Sequence, residues 1–419
     1  MKIRAMPMNL LRNLCFLMMT GGVVANQTAM VDPYFSPYSG SANLIFLQDL
    51  MIRGEDALLR KSDKDSTIKI WTRAFEQLLF WYNINSVAGV TQHEVFGHGY
   101  RLRELGYRPT SYTISIWEGG TGYAAKDYYR MTVGESLAVA VAGLEAEQIL
   151  AHDLKTEWIA KGEIDGRAAF LYNQSQQSIF WYTLITHLGK LKGDSDSSND
   201  IQSYIYFHNH SYPDGELNHK KLIRWTLFNW LDPLTFYSYY SFFHYIAEGA
   251  PWKFPMFSLT EKVKYLPNVK IGYAPYAPEA YLENFFLYQG NPVYLYFKGG
   301  RRSFGLGCCY SRCYSGRRGS LGFKLDLWNQ ARFNTPVTVQ QLLASGTAFH
   351  PDLSKRGWGI ALSVTGRFHL FSKTALFSEL GGKTPGYLPG HRLDKEIIAR
   401  VGLTFGNDSL RQKQPETIN

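Results

Sequence analysis

Two hydrophobic periods divide the chain near residue 265. Before it, apolar residues recur at helical spacing. The stretch TIKIWTRAFEQLLFWYNI (67–84) predicts an amphipathic helix. GESLAVAVAGLEAEQILAHDL (134–154) is almost all small and apolar, which predicts a buried, closely packed helix, and RAAFLYNQSQQSIFWYTLITHLG (167–189) predicts a third. KLIRWTLFNWLDPLTFYSYYSFFHYIAEG (221–249) is very apolar, but Asp232-Pro233 interrupts it. It therefore predicts a helix pair, buried or lying at a membrane surface, and no clean membrane span. Between these helices, SYTISIW (111–117) alternates and is β-branched, as a strand does, and KGDSDSSND (192–200) is a polar loop.

After residue 265 the period falls to two. In GWGIALSVTGRFHL, Trp358, Ile360, Leu362, Val364, Phe368 and Leu370 point one way, while Gly359, Ala361, Ser363 and Thr365 point the other. LGFKLDLW (321–328) and IIARVGLTF (397–405) alternate in the same manner. A soluble sandwich turns such an apolar face inward, whereas an outer-membrane barrel turns it toward lipid. Small and polar residues on the second face favour the barrel. The predicted architecture is α+β: a mainly helical domain over 26–265, then an antiparallel β-barrel of roughly eight strands over 266–407, then a polar tail, 408–419.

Composition supports this division. Of 419 residues, 28 are Tyr and 26 Phe, and aromatic rings with a polar tip suit membrane interfaces. Lys2, Arg4 and Arg12 precede the apolar run LCFLMMTGGVVA (14–25), which reads as a secretory signal over residues 1–25 and predicts export to the cell envelope. The net charge of +9 is scattered, without a basic block or a nucleic-acid signature, so neither nucleic acid nor a nucleotide is expected as partner. Cys15 lies in the signal; Cys308, Cys309 and Cys313 lack zinc-ribbon spacing and predict one short-range disulfide or none.

The chemistry concentrates in TQHEVFGHGYRLRELG (91–106). A catalytic zinc needs three protein ligands, an open position and a carboxylate to take a proton from water. In HExxH the histidines are four apart and share a helix face; His93 and His98 are five apart, about 140° around a regular helix. A π-bulge absorbs the extra residue, and Gly97 and Gly99 supply backbone freedom beside His98. The spacing His93-Glu94-Val95-Phe96-Gly97-His98 resembles the HExxGH motif of the dipeptidyl peptidase III family, which implies zinc binding by this longer motif.

A second resemblance spans about 110 residues. The motif helix is followed by strand 111–117, EGGTGYA (118–124), a small-residue helix with AGLEAEQIL (142–150), and SSNDIQ (197–202). This order resembles the peptidase domain of the membrane-bound FtsH zinc proteases, and its first part is similar to site-two proteases. The resemblance implies Asp200 as third metal ligand; the chain carries no GxxxxGK[ST] loop of the ATPase half. Glu145 or Glu147 is the rival ligand, as in glutamate-type zincins, unless an arginine such as Arg101 or Arg103 pairs with it. His208, His210 and His219 lie near Asp200 in sequence, and histidines in a polar loop are more often solvated than ligating. Arg101, Arg103 and Glu104 read as a solvated or paired helix face; Glu118 and its glycines read as a channel wall or a plain turn; strand 111–117 reads as a peptide-holding edge or an interior strand.

Together these readings predict an exported zinc metallopeptidase of the outer membrane, acting on polypeptides. His93, His98 and Asp200 hold Zn2+, and Glu94 is the general base. The alternative is a non-catalytic outer-membrane β-barrel whose helical part is a plug or platform.

Overall fold

The computed structural model describes residues 27–58, 67–116, 118–189, 199–212, 215–316, 318–332, 336–345, 356–371 and 373–406. The expected signal, the polar tail and Cys15 lie outside the described residues. The chain is α+β. Strand β1 (Gln27–Val31) and helix α1 (Pro37–Leu58) precede a long helix, α2, over residues 67–104. A hairpin follows, β2 (Pro109–Ile114) and β3 (Gly119–Tyr123), then helices α3 (Ala125–Arg130), α4 (Val133–Lys161), α5 (Ala169–His187), α6 (Asp200–Ser211), α7 (His219–Thr226) and α8 (Pro233–Glu248). Strands β4 (Phe257–Thr260), β5 (Val263–Ala274), β6 (Ala277–Tyr288), β7 (Asn291–Gly300), β8 (Ser303–Gly316) and β9 (Gly319–Ala331) come next. Helix α9 (Val339–Ser345) separates them from β10 (Arg356–Phe371), β11 (Thr374–Lys383) and β12 (Glu396–Phe405).

α4 is the central rod. Thr132 and Glu135 form a capping box at its start, and Gly162, at φ 74°, ends it in the left-handed region. Its small residues let neighbours approach closely, and it is buried along most of its length. The Asp-Pro pair in the apolar run 221–249 is the start of α8: Asp232 caps the backbone N–H of Leu234, and Pro233 takes the first helical position, where a missing N–H costs nothing. A short 3-10 turn, Leu227–Leu231, joins α7 to α8.

Ten antiparallel strands form one sheet in the order β1-β12-β11-β10-β9-β8-β7-β6-β5-β4. This corrects the expected closed barrel of roughly eight strands. β1 comes from Gln27–Val31 and β4 from Phe257–Thr260, both outside the span 266–407, and among the described residues β1 and β4 do not pair with each other. Helices pack on the sheet instead: α1 on β1, the 3-10 turn and α8 on β5, and α4 on β5, β6 and β7. Cys308, Cys309 and Cys313 form no disulfide.

The polarity of the sheet is inverted relative to a soluble fold. On β10, Trp358, Ile360, Leu362 and Val364 are exposed, while Gly359, Ala361 and Ser363 are buried. The buried face carries charge: Lys298 pairs with Glu279 at 3.1 Å and Arg400 with Glu379 at 2.7 Å, all four buried. α4 packs on the sheet at β5, β6 and β7. Gln148 Nε2 donates to the Ile271 carbonyl at 2.8 Å, and Lys155 Nζ lies 3.0 Å from Asp232 and 3.6 Å from Glu283. Lys155 and Asp232 are at most 1% exposed, so Lys155→Met strands a buried carboxylate. That change is expected to destabilise the fold by about 3–5 kcal/mol, read as a shift of the chemical-denaturation midpoint.

Candidate metal centre

α2 runs from 67 to 104 without a break but changes pitch: α-helical over Tyr82–Thr91, π-helical over Gln92–His98, α-helical again over Gly99–Glu104. Within the π segment, the Gly99 N–H bonds to the Glu94 carbonyl five residues back. The wider turn stacks residues five apart, so the insertion that spoils HExxH spacing is absorbed where the sequence predicts it. The His93 and His98 rings then face each other, centroids 4.9 Å apart.

Two glycines make this geometry possible. A Cβ on Gly97 would lie 2.7 Å from the Ala142 carbonyl oxygen and the Gly143 Cα, so α2 crosses α4 backbone against backbone. A Cβ on Gly143 would lie 2.2 Å from His93 Nε2. The small-residue run of α4 is thus the space into which the motif packs.

Asp200 arrives from a different element. Asn199 caps α6 by accepting from the N–H groups of Ile201 and Gln202, which leaves Asp200 in the first turn with its side chain toward the histidines. His93 Nε2, His98 Nε2 and Asp200 Oδ2 form a triangle with 3.1 Å on every side. The far side of each ring is engaged: His98 Nδ1 donates to the Val139 carbonyl at 2.9 Å, and His93 Nδ1 lies 3.2 Å from Glu147 Oε2. Each neutral ring therefore carries its proton on Nδ1 and aims a bare lone pair inward. Two imidazole nitrogens and a carboxylate oxygen converge on one point, a donor set of the kind that holds a cation. Three ligands at about 2.0–2.1 Å from a tetrahedral ion are about 3.3–3.4 Å apart, close to the triangle observed.

The electrostatics agree. Burial works to lower the His93 pKa, yet Glu147, Asp200 and Glu94 outweigh it and raise the imidazole well above its ordinary value. His98 is also raised, chiefly by Asp200 against its own burial. Burial works to raise Asp200, but the flanking imidazoles hold its carboxyl well below the usual range. The pocket favours positive charge.

Glu94 stands beside the triangle, outside it. Thr121 Oγ1 donates to Glu94 Oε2 at 2.7 Å, and a Cβ on Gly119 would lie 2.4 Å from Glu94 Oε1. The β2–β3 hairpin thus clamps the carboxylate. A cleft of about 200 Å³ opens here, lined by Glu94, His98, Gly120, Tyr123, Tyr182 and Asp200 among others. Gly119, Gly120 and Thr121 of EGGTG wall this cleft, whereas Glu118 lies in the turn, its backbone bonded to the Ser115 hydroxyl. The hairpin strand at the cleft is β3, whereas β2, the strand expected over 111–117, is mostly exposed and ends at Ile114.

The other candidates separate cleanly. Glu145 turns away from the histidines: Arg101 Nη2 bonds both its oxygens at 3.0 Å, and Tyr387 donates to it at 2.9 Å. Arg101 also reaches Glu104 at 2.7 Å, so this face of α2 is paired and buried. Arg103 instead donates to the Tyr34 and Val95 carbonyls and to Tyr112. Glu147 is the partner of His93 and no third corner of the triangle. His208 is buried with its ring against Tyr204 and Tyr212, His210 packs on Tyr206, and His219 stacks on His187. Among the described residues, one group of three donor side chains lies within 4.8 Å: His93, His98 and Asp200. Val139, Thr121, Gly143 and Tyr182, whose ring lies 6.1 Å from that of His93, carry no signal of their own in the sequence.

Comparison of the chain with protein-family models, with curated proteins and with solved structures finds no match.

Proposed function

We propose that the chain is a zinc-dependent peptidase held in an outer membrane by its sheet. The observation that carries the reading is the triangle of His93, His98 and Asp200, with both histidine protons committed to the far side and Glu94 clamped next to it. Two nitrogens and one oxygen at these separations fit zinc, and they leave a fourth position toward the cleft. When bound, zinc supplies Lewis-acid polarisation of a carbonyl and of the attacking water. Glu94 takes the proton of that water and hands it to the leaving amine. Thr121 and the close approach of Gly119 hold its carboxylate in one orientation, and Glu147 and the Val139 carbonyl hold the two rings. The glycine-rich strand β3 offers backbone groups beside Glu94 against which an extended polypeptide can lie.

The bilayer setting rests on the inverted sheet. Leucine, isoleucine and tryptophan lie on its exposed face, as on β10, while carboxylates and cationic groups pair on the buried one. That distribution suits acyl chains outside and a polar core inside.

A second reading, a structural platform without catalysis, draws support from α4, which packs on the sheet at β5, β6 and β7 as a plug does. Zinc-loaded full-length protein incubated with an unfolded polypeptide such as casein separates the two. One zinc per chain and new peptide termini are expected, both lost in His98→Ala. Stoichiometric zinc without new termini would remove the peptidase and leave another hydrolase; no zinc uptake at all would favour the platform.

A further inference from the structure

Beyond the peptidase reading, we propose that the helical domain itself faces the bilayer with an apolar surface that runs from β1 to β5, the strand next to the sheet's other end. The partner is the acyl-chain region of a lipid membrane. The proposal extends the bilayer reading of the sheet and does not depend on the metal.

An unbroken series of contacts links the two strands. β1 packs on α1. Near the end of α1, Glu55 accepts from Trp81 Nε1 of α2 at 2.9 Å and from the Tyr245 hydroxyl of α8 at 3.0 Å. Arg73 of α2 donates to the Ile246 carbonyl of α8 at 2.7 Å. Ahead of α8, Asn229 in the 3-10 turn accepts from the Ile271 N–H of β5 at 2.6 Å and donates to its carbonyl at 3.3 Å. A helical wall therefore runs from β1, at one end of the sheet, to β5, next to the other.

The polarity of that wall is reversed, as it is on the sheet. On α8, Thr235, Ser238 and Ser241 are fully buried, while Phe236 and Phe243 are 58% and 65% exposed. On α2, Gln77 is buried, while Ile68, Phe75 and Leu79 are exposed. α8 carries one formal charge in its sixteen residues, Glu248 at its end. A water-facing helix shows the opposite order, serine out and phenylalanine in. An isolated exposed phenylalanine means little, but on both α2 and α8 amides and hydroxyls lie inward and most large apolar side chains outward, with Trp81, Leu234 and Tyr245 buried, and this is the pattern a protein adopts where the surroundings are less polar than its interior.

No helix among the described residues is long and apolar enough to cross a membrane alone. The wall touches lipid by its outer face; on the back of α8, Thr235 accepts from Gln177 of α5, and Ser238 and Ser241 donate to the carbonyls of Thr235 and Ile164. The edges of β1 and of β5 beyond its short pairing with β4 are then covered by helices, while the four-residue strand β4 stays exposed.

The test uses full-length protein with its four cysteines replaced by serine and single cysteines placed at Phe243, Leu79, Leu362 on β10, or Glu261 in the β4–β5 turn, each labelled with an environment-sensitive nitrobenzoxadiazole. The variants are reconstituted into phosphatidylcholine–phosphatidylglycerol vesicles, with or without dibrominated acyl chains. Bromine is expected to quench the label at least twofold at 243, 79 and 362, and not at 261. Quenching at 362 alone would overturn the proposal and leave the sheet in the bilayer. Quenching at none of the three would overturn both. Photolabelling of the unsubstituted protein with a diazirine-bearing phosphatidylcholine gives the same answer without variants: adducts on 67–81 and 233–248 support the proposal, and adducts confined to strands refute it.

Discussion

Glu94→Gln is expected to abolish peptide hydrolysis while zinc stays bound at one per chain. Glu94 is not a corner of the ligand triangle, so the exchange removes no metal contact. Glutamine also keeps the shape of the site, since its amide oxygen can still accept from Thr121. What disappears is the ability to take and return a proton, a step that contributes about 100- to 10,000-fold to a rate. The two readouts, zinc by elemental analysis and termini released from a polypeptide, must therefore diverge. Hydrolysis at the unsubstituted rate in this variant would sink the proposed chemistry, and joint loss of zinc and activity would show that Glu94 is a ligand.

Gly143→Ala is expected to expel the metal from a site whose residues are all still present. The new methyl group would sit 2.2–2.5 Å from the Nε2, Cδ2 and Cε1 atoms of His93. The ring has little room to yield, because Gly97 already touches the backbone of α4 and Glu147 holds the ring from behind. Losing an outer partner of a ligand typically costs 10- to 100-fold in metal affinity; displacing the ligand should cost more, and competition with a chromophoric chelator measures it. In the interior of a helix the same exchange normally favours the helix by roughly 0.8–1.0 kcal/mol. Thermal unfolding without zinc thus separates the effects: a variant that unfolds no earlier than the parent yet fails to take up zinc is the expected result. Parent-like affinity would mean that His93 does not need its present position.

The motif was readable because its spacing allowed only one solution. Two histidines five apart meet only if the helix widens between them, and Gly97 beside Ala142 is where it does. The inverted strands were readable for the same kind of reason, since a period of two with one apolar face persists over β10 and β12. Other features leave no local trace. Glu145 and Glu147 look interchangeable in the sequence, yet two positions on a helix point them to opposite sides, one to Arg101 and one to His93. The Val139 carbonyl that fixes the tautomer of His98 belongs to the backbone, which any residue at that position supplies. β1 is five residues long, and its partner β12 lies more than three hundred residues away, so neither its existence nor its place in the sheet follows from a local pattern. The count of strands and the openness of the sheet depended on that one pairing and on where the helices docked.

The pairing of Gln27–Val31 with Val401–Phe405 also bears on how the molecule can be made. A ribosome delivers the first strand long before the last, so β1 has no strand partner throughout synthesis. Contacts of such long sequence separation form slowly, because the entropy of closing the intervening loop is spent before the pairing returns anything. The sheet is therefore completed only when its last strand arrives, and a chain cut anywhere before residue 401 is left with an unmatched ribbon at its front end.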